Sequence, residues 1–141
     1  MTQTQLTAVD LMREIYEPLE RGERRDFQAF FDALDDEVTL RFSVGELNGK
    51  KAVIAYFNNA GEALEFTPFE TPLAYFGDGD RAVVVGDETF TVKETGVVHK
   101  AEWAWVYKVR DGKITEIRGI MDLSGIAGLV GQVIAQSQAA A

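Results

Sequence analysis

The sequence predicts an α+β fold: three helices, then an antiparallel meander of strands with those helices on one face. Two observations carry this. Apolar residues in the first half recur at helical spacing, and after Pro72 the pattern turns to long alternating runs separated by Gly/Asp and Thr/Gly pairs. At 141 residues with 46% hydrophobic and 11% aromatic content, the chain suits one core-bearing domain spanning residues 1–141.

Leu6, Val9, Met12, Tyr16 and Leu19 mark an amphipathic helix over about residues 4–21, with Gly22 as its stop. Asp26 is placed to cap a second helix carrying Phe27, Phe30, Phe31 and Leu34. Val38, Leu40 and Phe42 alternate with Thr39, Arg41 and Ser43, a strand pattern. Ala52, Val53, Tyr56, Phe57, Ala60 and Leu64 mark a third helix. Four strands follow: Leu73 to Phe76, Ala82 to Lys93, Val97 to Val109 and Ile114 to Met121. Their separators, Gly77-Asp78-Gly79-Asp80, Thr95-Gly96 and Asp111-Gly112, accept the positive φ of tight turns. A C-terminal helix is expected over Ser124 to Gln136, weakened by Gly125, Gly128 and Gly131 at about 1 kcal/mol each. Asp122 and Ser124 are placed to cap it.

A three-residue loop at Arg110-Asp111-Gly112 pairs Val109 with Lys113. A turn at Thr95-Gly96 pairs Val92 with His99 and Glu88 with Trp103. The inner face then carries Glu88, Phe90, Val92, His99, Ala101, Trp103, Trp105, Tyr107, Ile117, Gly119 and Met121. The outer face carries Lys100, Glu102, Ala104, Val106 and Ile120, a mixture predicting a homodimer through the outer sheet face.

Composition excludes several functions. A net charge of −9 opposes binding to nucleic acid and to anionic membrane surfaces. The longest apolar stretch, near Ile126 to Ala135, is too short to cross a bilayer, and polar Met1 to Thr7 is no signal peptide. The expectation is a cytoplasmic protein. One histidine and no cysteine give no basis for a zinc site, and no cofactor is expected.

The order of elements resembles the nuclear transport factor 2-like superfamily and, within it, the SnoaL-like group. The resembling residues are Ile15 to Gly22, Phe30 to Val38, Gly49 to Val53, Trp103 to Ile114 and Arg118 to Asp122. The resemblance covers nearly the whole chain, and its motifs specify the cone-shaped fold better than any reaction. It implies a small-molecule site between sheet and helices, and homodimers are common among such relatives. Tyr16 is similar to the tyrosine that donates to an oxyanion in ketosteroid isomerases. The base and the oxyanion-hole acid of those enzymes fall near Phe42 and Trp105, which exchange no proton, so ordinary ketosteroid isomerisation is not expected. The limonene-epoxide hydrolase pattern fails too: Gly119 stands at its second carboxylate, Leu40 and Phe42 at its water-holding pair. Polyketide cyclases of the group use an acidic residue and sometimes a histidine, which Glu88 and His99 resemble.

The candidate catalytic residues are therefore Glu88, Tyr16 and His99. Glu88 is either a desolvated acid–base group or a solvated or salt-bridged carboxylate at a sheet end. His99 is either a rim acid–base group or a half-exposed strand residue. The Tyr16 hydroxyl finds a partner in a ligand carbonyl or in a backbone carbonyl. Leu40, Phe42, Phe57, Phe90, Trp103, Trp105, Tyr107, Ile117 and Met121 are the candidate ligand-binding residues. They either fill the core or wall a flat cavity in the space that Gly119 leaves. The expected partner is a hydrophobic small molecule carrying a carbonyl. The chemistry would be isomerisation, cyclisation or hydrolysis by proton transfer, and the rival reading is a non-catalytic ligand-binding or assembly module.

Overall fold

The computed structural model describes residues 6–24, 26–67 and 71–140. Helix α1 spans Ala8–Glu20. It starts later than its periodicity implies, because Thr7 and Asp10 form a capping box: each side chain accepts the other's backbone N–H, at 3.2 and 3.3 Å. The earliest residues assigned to it lie outside the described ones. Gly22, at φ +70°, ends the turn after the helix, as expected. Helix α2 is a short segment, Gln28–Ala33, and Asp26 Oδ1 accepts the Gln28 N–H at 3.1 Å without being the formal cap.

Strand β1 (Leu34–Phe42) follows α2 directly and turns back into β2 (Gly45–Asn48). Helix α3 (Lys50–Ala63) runs straight into β3 (Leu64–Thr67). Then come β4 (Ala74–Asp78), β5 (Arg81–Val92), β6 (Val98–Arg110), β7 (Lys113–Met121) and helix α4 (Ala127–Ala139). β2 and β3 carry only four residues each and show no alternation in the sequence. Helix α4 begins later than expected, since Asp122 Oδ1 accepts the Ser124 N–H at 2.9 Å and holds a turn ahead of the helix. Among the described residues no helix is long and apolar enough to cross a membrane.

The sheet order is β2-β1-β7-β6-β5-β3, with β4 sharing the β5 edge with β3. It is mixed rather than purely antiparallel: β1 and β7 pair in parallel, Leu40 beside Ile117 and Arg41 beside Arg118. The helices lie against one face. Rings from α1, α2 and α3 (Tyr16, Phe30 and Phe57) meet Tyr107 and Trp105 of the sheet. Helix α4 packs on α3 and β2, where Ile134 meets Gly45 at 3.1 Å from the position of an added Cβ. Leu40, Val38, Leu47, Val53, Val84 and Met12 are wholly buried at the centre, each contributing about 1.5–3 kcal/mol through burial.

Both expected hairpin registers move by two residues. Asp111 and Gly112, at φ 52° and 74°, close a two-residue turn, so Arg110 pairs with Lys113. A bulge between Lys108 and Val109 then sets Tyr107 opposite Ile117 and Trp105 opposite Gly119. At the other hairpin four residues form the loop, closed by the Val92 N–H on the Val97 carbonyl at 2.8 Å. Phe90 therefore faces His99, and Glu88 faces Ala101 rather than Trp103. A slip of two preserves the side of the sheet, so the inner and outer faces are as expected.

Candidate functional site

The candidate site is built outward from Glu88. It sits within β5 rather than at a sheet end, on the inner face between Gly86 and Phe90, with Ala101 across the ladder and Trp103 on the diagonal. Gly86 lets the Trp103 indole lie down: a Cβ there would be 2.7 Å from Trp103 and 2.5 Å from Leu73. The Glu88 carboxyl is part-buried, and burial pushes it from its ordinary 4.5 up to about 7. The adjacent Trp103 indole opposes the rise, and the Asp87 charge adds to it.

Tyr16, on the last turns of α1, reaches the same region. Its hydroxyl hydrogen-bonds that of Tyr107 on β6, which is neither of the partners expected for it. Burial raises the Tyr16 phenol well above its ordinary range, the Tyr107 hydrogen bond works against this, and the nearby Glu88 charge adds to it. Tyr107 is raised as well, first by burial and then by Tyr16. Both phenols stay protonated across neutral pH, so they act as hydrogen-bond donors and not as bases.

His99 lies one row along the ladder from Glu88. Its ring stacks on Phe90 at 6.3 Å, and its Nε2 is 2.7 Å from the Asp122 carbonyl. It thus ties the end of β7 to β6, beneath Gly125, where an added Cβ would come within 2.9 Å of its Nδ1. The structure brings Glu88, Trp103, Tyr16 and Tyr107 together and gives His99 a fastening contact.

The ligand-binding candidates divide. Leu40, Tyr107 and Ile117 are at most 2% exposed and belong to the packed centre. Phe90 packs with Leu64 and Ala101 in a second, smaller cluster. Phe42, Phe57, Trp105 and Trp103 form a continuous run of rings. Phe42 meets Trp105 edge-on at 5.5 Å, and Phe57 and Trp103 lie 6.2 and 6.4 Å from Trp105. The space above Gly119 is not the flat cavity expected there, since the Phe42 and Trp105 rings fill it, at 2.5 and 2.9 Å from where a Cβ would stand. A hollow of about 200 Å³ opens instead at the ends of β1 and β7. Phe42, Gly119 and Met121 line it together with Arg41, Ser43, Arg118 and Ile120. The two arginines escaped the sequence reading because strand alternation alone places them on the solvent side. Among the described residues no group of three or more His, Asp or Glu is gathered to hold a metal.

On the outer face an apolar stripe crosses four strands. Ala74, Val85, Ala104 and Ile120 form one row, and Phe76, Val83 and Val106 the next. Phe76 is 60% exposed, Ile120 53% and Val85 37%.

The SnoaL-like domain description matches residues 13–117. Among curated proteins, none matches the chain in sequence. Solved structures share the fold. A nuclear transport factor 2-like protein from Burkholderia xenovorans superposes with a TM-score of 0.68 at 20% identity, over 96% of this chain and 99% of that one. One of unknown function from Burkholderia pseudomallei gives 0.68 at 21% identity, over 85% and 96%. A candidate polyketide cyclase from Pseudomonas putida gives 0.69 at 18% identity, over 88% and 98%.

Proposed function

The chain belongs to the SnoaL-like family, and we propose that it takes a hydrophobic carbonyl compound against its aromatic face and shifts a proton on it without a cofactor. On this reading it is an isomerase, cyclase or hydrolase of the cytoplasm. Glu88 exchanges the proton, and Tyr16, backed by Tyr107, donates a hydrogen bond to the carbonyl oxygen as it gains charge. The observation that carries the proposal is the carboxyl held near neutrality beside a buried phenol pair. An acid–base group works best when its pKa lies near the operating pH, and Glu88 is pushed up to about 7. Trp103, Trp105, Phe42 and Phe57 supply flat apolar area for a planar ligand. The similarity to a candidate polyketide cyclase agrees with this class of ligand.

The test has two steps. A thermal-shift screen of steroids, terpenoids and polyketide-like aromatics should yield a compound that raises the melting midpoint. Turnover of that compound should vanish in Glu88→Gln while its binding remains. Equal turnover in wild type and Glu88→Gln would reject the role of the carboxyl.

One observation favours a second reading, in which the scaffold binds or assembles without catalysis. Phe42 and Trp105 stand where relatives with known proton chemistry place acidic residues, and their rings are packed on each other. Binding of a screened compound with no turnover, in wild type as in the variant, is the outcome of that reading.

The outer stripe is the surface we assign to a homodimer. Its rows of Val, Ala, Ile and Phe join into one exposed apolar patch, and such patches are generally covered by a partner.

A further inference from the structure

We infer that the hollow at the ends of β1 and β7 is an anion site for a carboxylate borne on an apolar group. Arg41 and Arg118 are direct neighbours in the parallel ladder, on the same face, and both line the hollow. Like charges on adjacent strands repel, and such a pair is destabilising unless something negative lies between. The protein supplies little relief. The Arg41 Nε is 3.9 Å from the Glu46 carboxylate, the outer limit of an ion pair, and among the described residues no carboxylate pairs with Arg118. In a chain of net charge −9, two guanidiniums side by side, with only Arg41 reached by a carboxylate and that one at 3.9 Å, are a local reversal of the prevailing field.

The rest of the lining defines the ligand. Ser43 adds a hydroxyl beside the arginines, while Phe42, Ile120 and Met121 make the remaining wall apolar. Two guanidinium forks and a hydroxyl match the planar oxygens of a carboxylate, and the apolar wall matches the carbon body attached to it. At about 200 Å³ the hollow lies below the roughly 300 Å³ lower range of drug-sized pockets. It therefore fits a small aromatic or short aliphatic acid, or the acid end of a longer one. Phe42 is shared with the ring run that leads to Trp105, so an occupant would perturb indole fluorescence. The inference does not rest on the proposed role of Glu88 and stands or falls separately.

The experiment is a titration of the full chain with benzoate, octanoate, benzamide and inorganic phosphate, followed by tryptophan fluorescence and calorimetry. Benzoate or octanoate is expected to bind and to weaken with added salt. Benzamide, of the same shape but neutral, is expected to bind about tenfold or more weakly. Arg41→Gln and Arg118→Gln should each lose binding by a similar factor with unchanged far-ultraviolet dichroism, and Arg118→Lys should restore part of it. Failure of both acids to bind overturns the inference, as does equal binding of benzamide. Phosphate binding as tight as benzoate overturns the apolar part of the assignment. If the Gln variants leave acid binding intact and instead weaken self-association, the arginines belong to a contact between copies and the site is disproved.

Discussion

The hydroxyls of Tyr16 and Tyr107 hydrogen-bond each other across the boundary between α1 and β6. The pair fastens the first helix to the middle of the sheet, and burial keeps both phenols protonated beside Glu88. Removing one hydroxyl leaves the other without its partner, at a cost of about 1–3 kcal/mol, whereas removing both costs less than the sum. Urea unfolding of Tyr16→Phe, Tyr107→Phe and the double variant should show this non-additivity. Strict additivity would mean the two hydroxyls do not depend on each other.

Glu88 makes stability fall as pH rises. Its carboxyl titrates at about 7 in the folded chain against 4.5 ordinarily, so the native state holds the proton more tightly. The contribution is complete below about 4.5 and is lost as pH climbs through 7. A change of this size corresponds to on the order of 3 kcal/mol. Glu88→Gln, which cannot ionise, should gain on the wild type by up to that amount between pH 4 and pH 8. Parallel pH–stability curves would show a solvated carboxylate instead.

On the proposed role, the same carboxyl sets the activity profile. If Glu88 is the base, kcat/KM rises with pH to a plateau above about 7. A rate that falls over this interval would make it the acid, and a flat profile would remove it from the chemistry.

Gly119 has no room for a side chain. A Cβ there would be 2.5 Å from Phe42 and 2.9 Å from Trp105, so Gly119→Ala should cost about 1–3 kcal/mol. Gly112, with no atom within 4 Å of an added Cβ but at φ +74°, tests a different cause. Gly112→Ala strains only the turn and should cost less, about 1 kcal/mol. Combining Gly119→Ala with Phe42→Leu should recover part of the loss, because the smaller side chain vacates the ring's place.

Val85 lies on the outer face, opposite the side that carries Glu88 and outside the lining of the arginine hollow. Val85→Lys places a charge in the assigned dimer contact. Light scattering should report a dimer for the wild type and a monomer for the variant. A monomeric wild type at micromolar concentration would leave the stripe without this partner.

How much of this is written in the sequence follows from which signals are local. The longer helices and strands are legible because each repeats its period over nine or more residues. The sheet faces were legible too, even though Glu88 lies opposite Ala101 and Tyr107 opposite Ile117, two residues from their expected partners. Side-chain direction repeats every two residues, so errors of two cancel. β2 and β3 are too short to alternate, and the β1–β7 joint depends on residues far apart in the chain. Glu88 was found because a lone carboxylate in an apolar inner row is visible without coordinates. The Tyr16–Tyr107 bond spans 91 residues and left no local trace. The hollow between Arg41 and Arg118 arises from the same distant joint.

That joint also sets an order of assembly. β1 completes its hairpin with β2 early, but its other border can be satisfied only by β7, made after β3, β4, β5 and β6. During synthesis the greasy row of Leu34, Val38 and Leu40 must wait for residues 113–121 to emerge. The chain's most vulnerable interval therefore falls just before its last hairpin is made, when a stray strand from a neighbour could occupy the place reserved for β7.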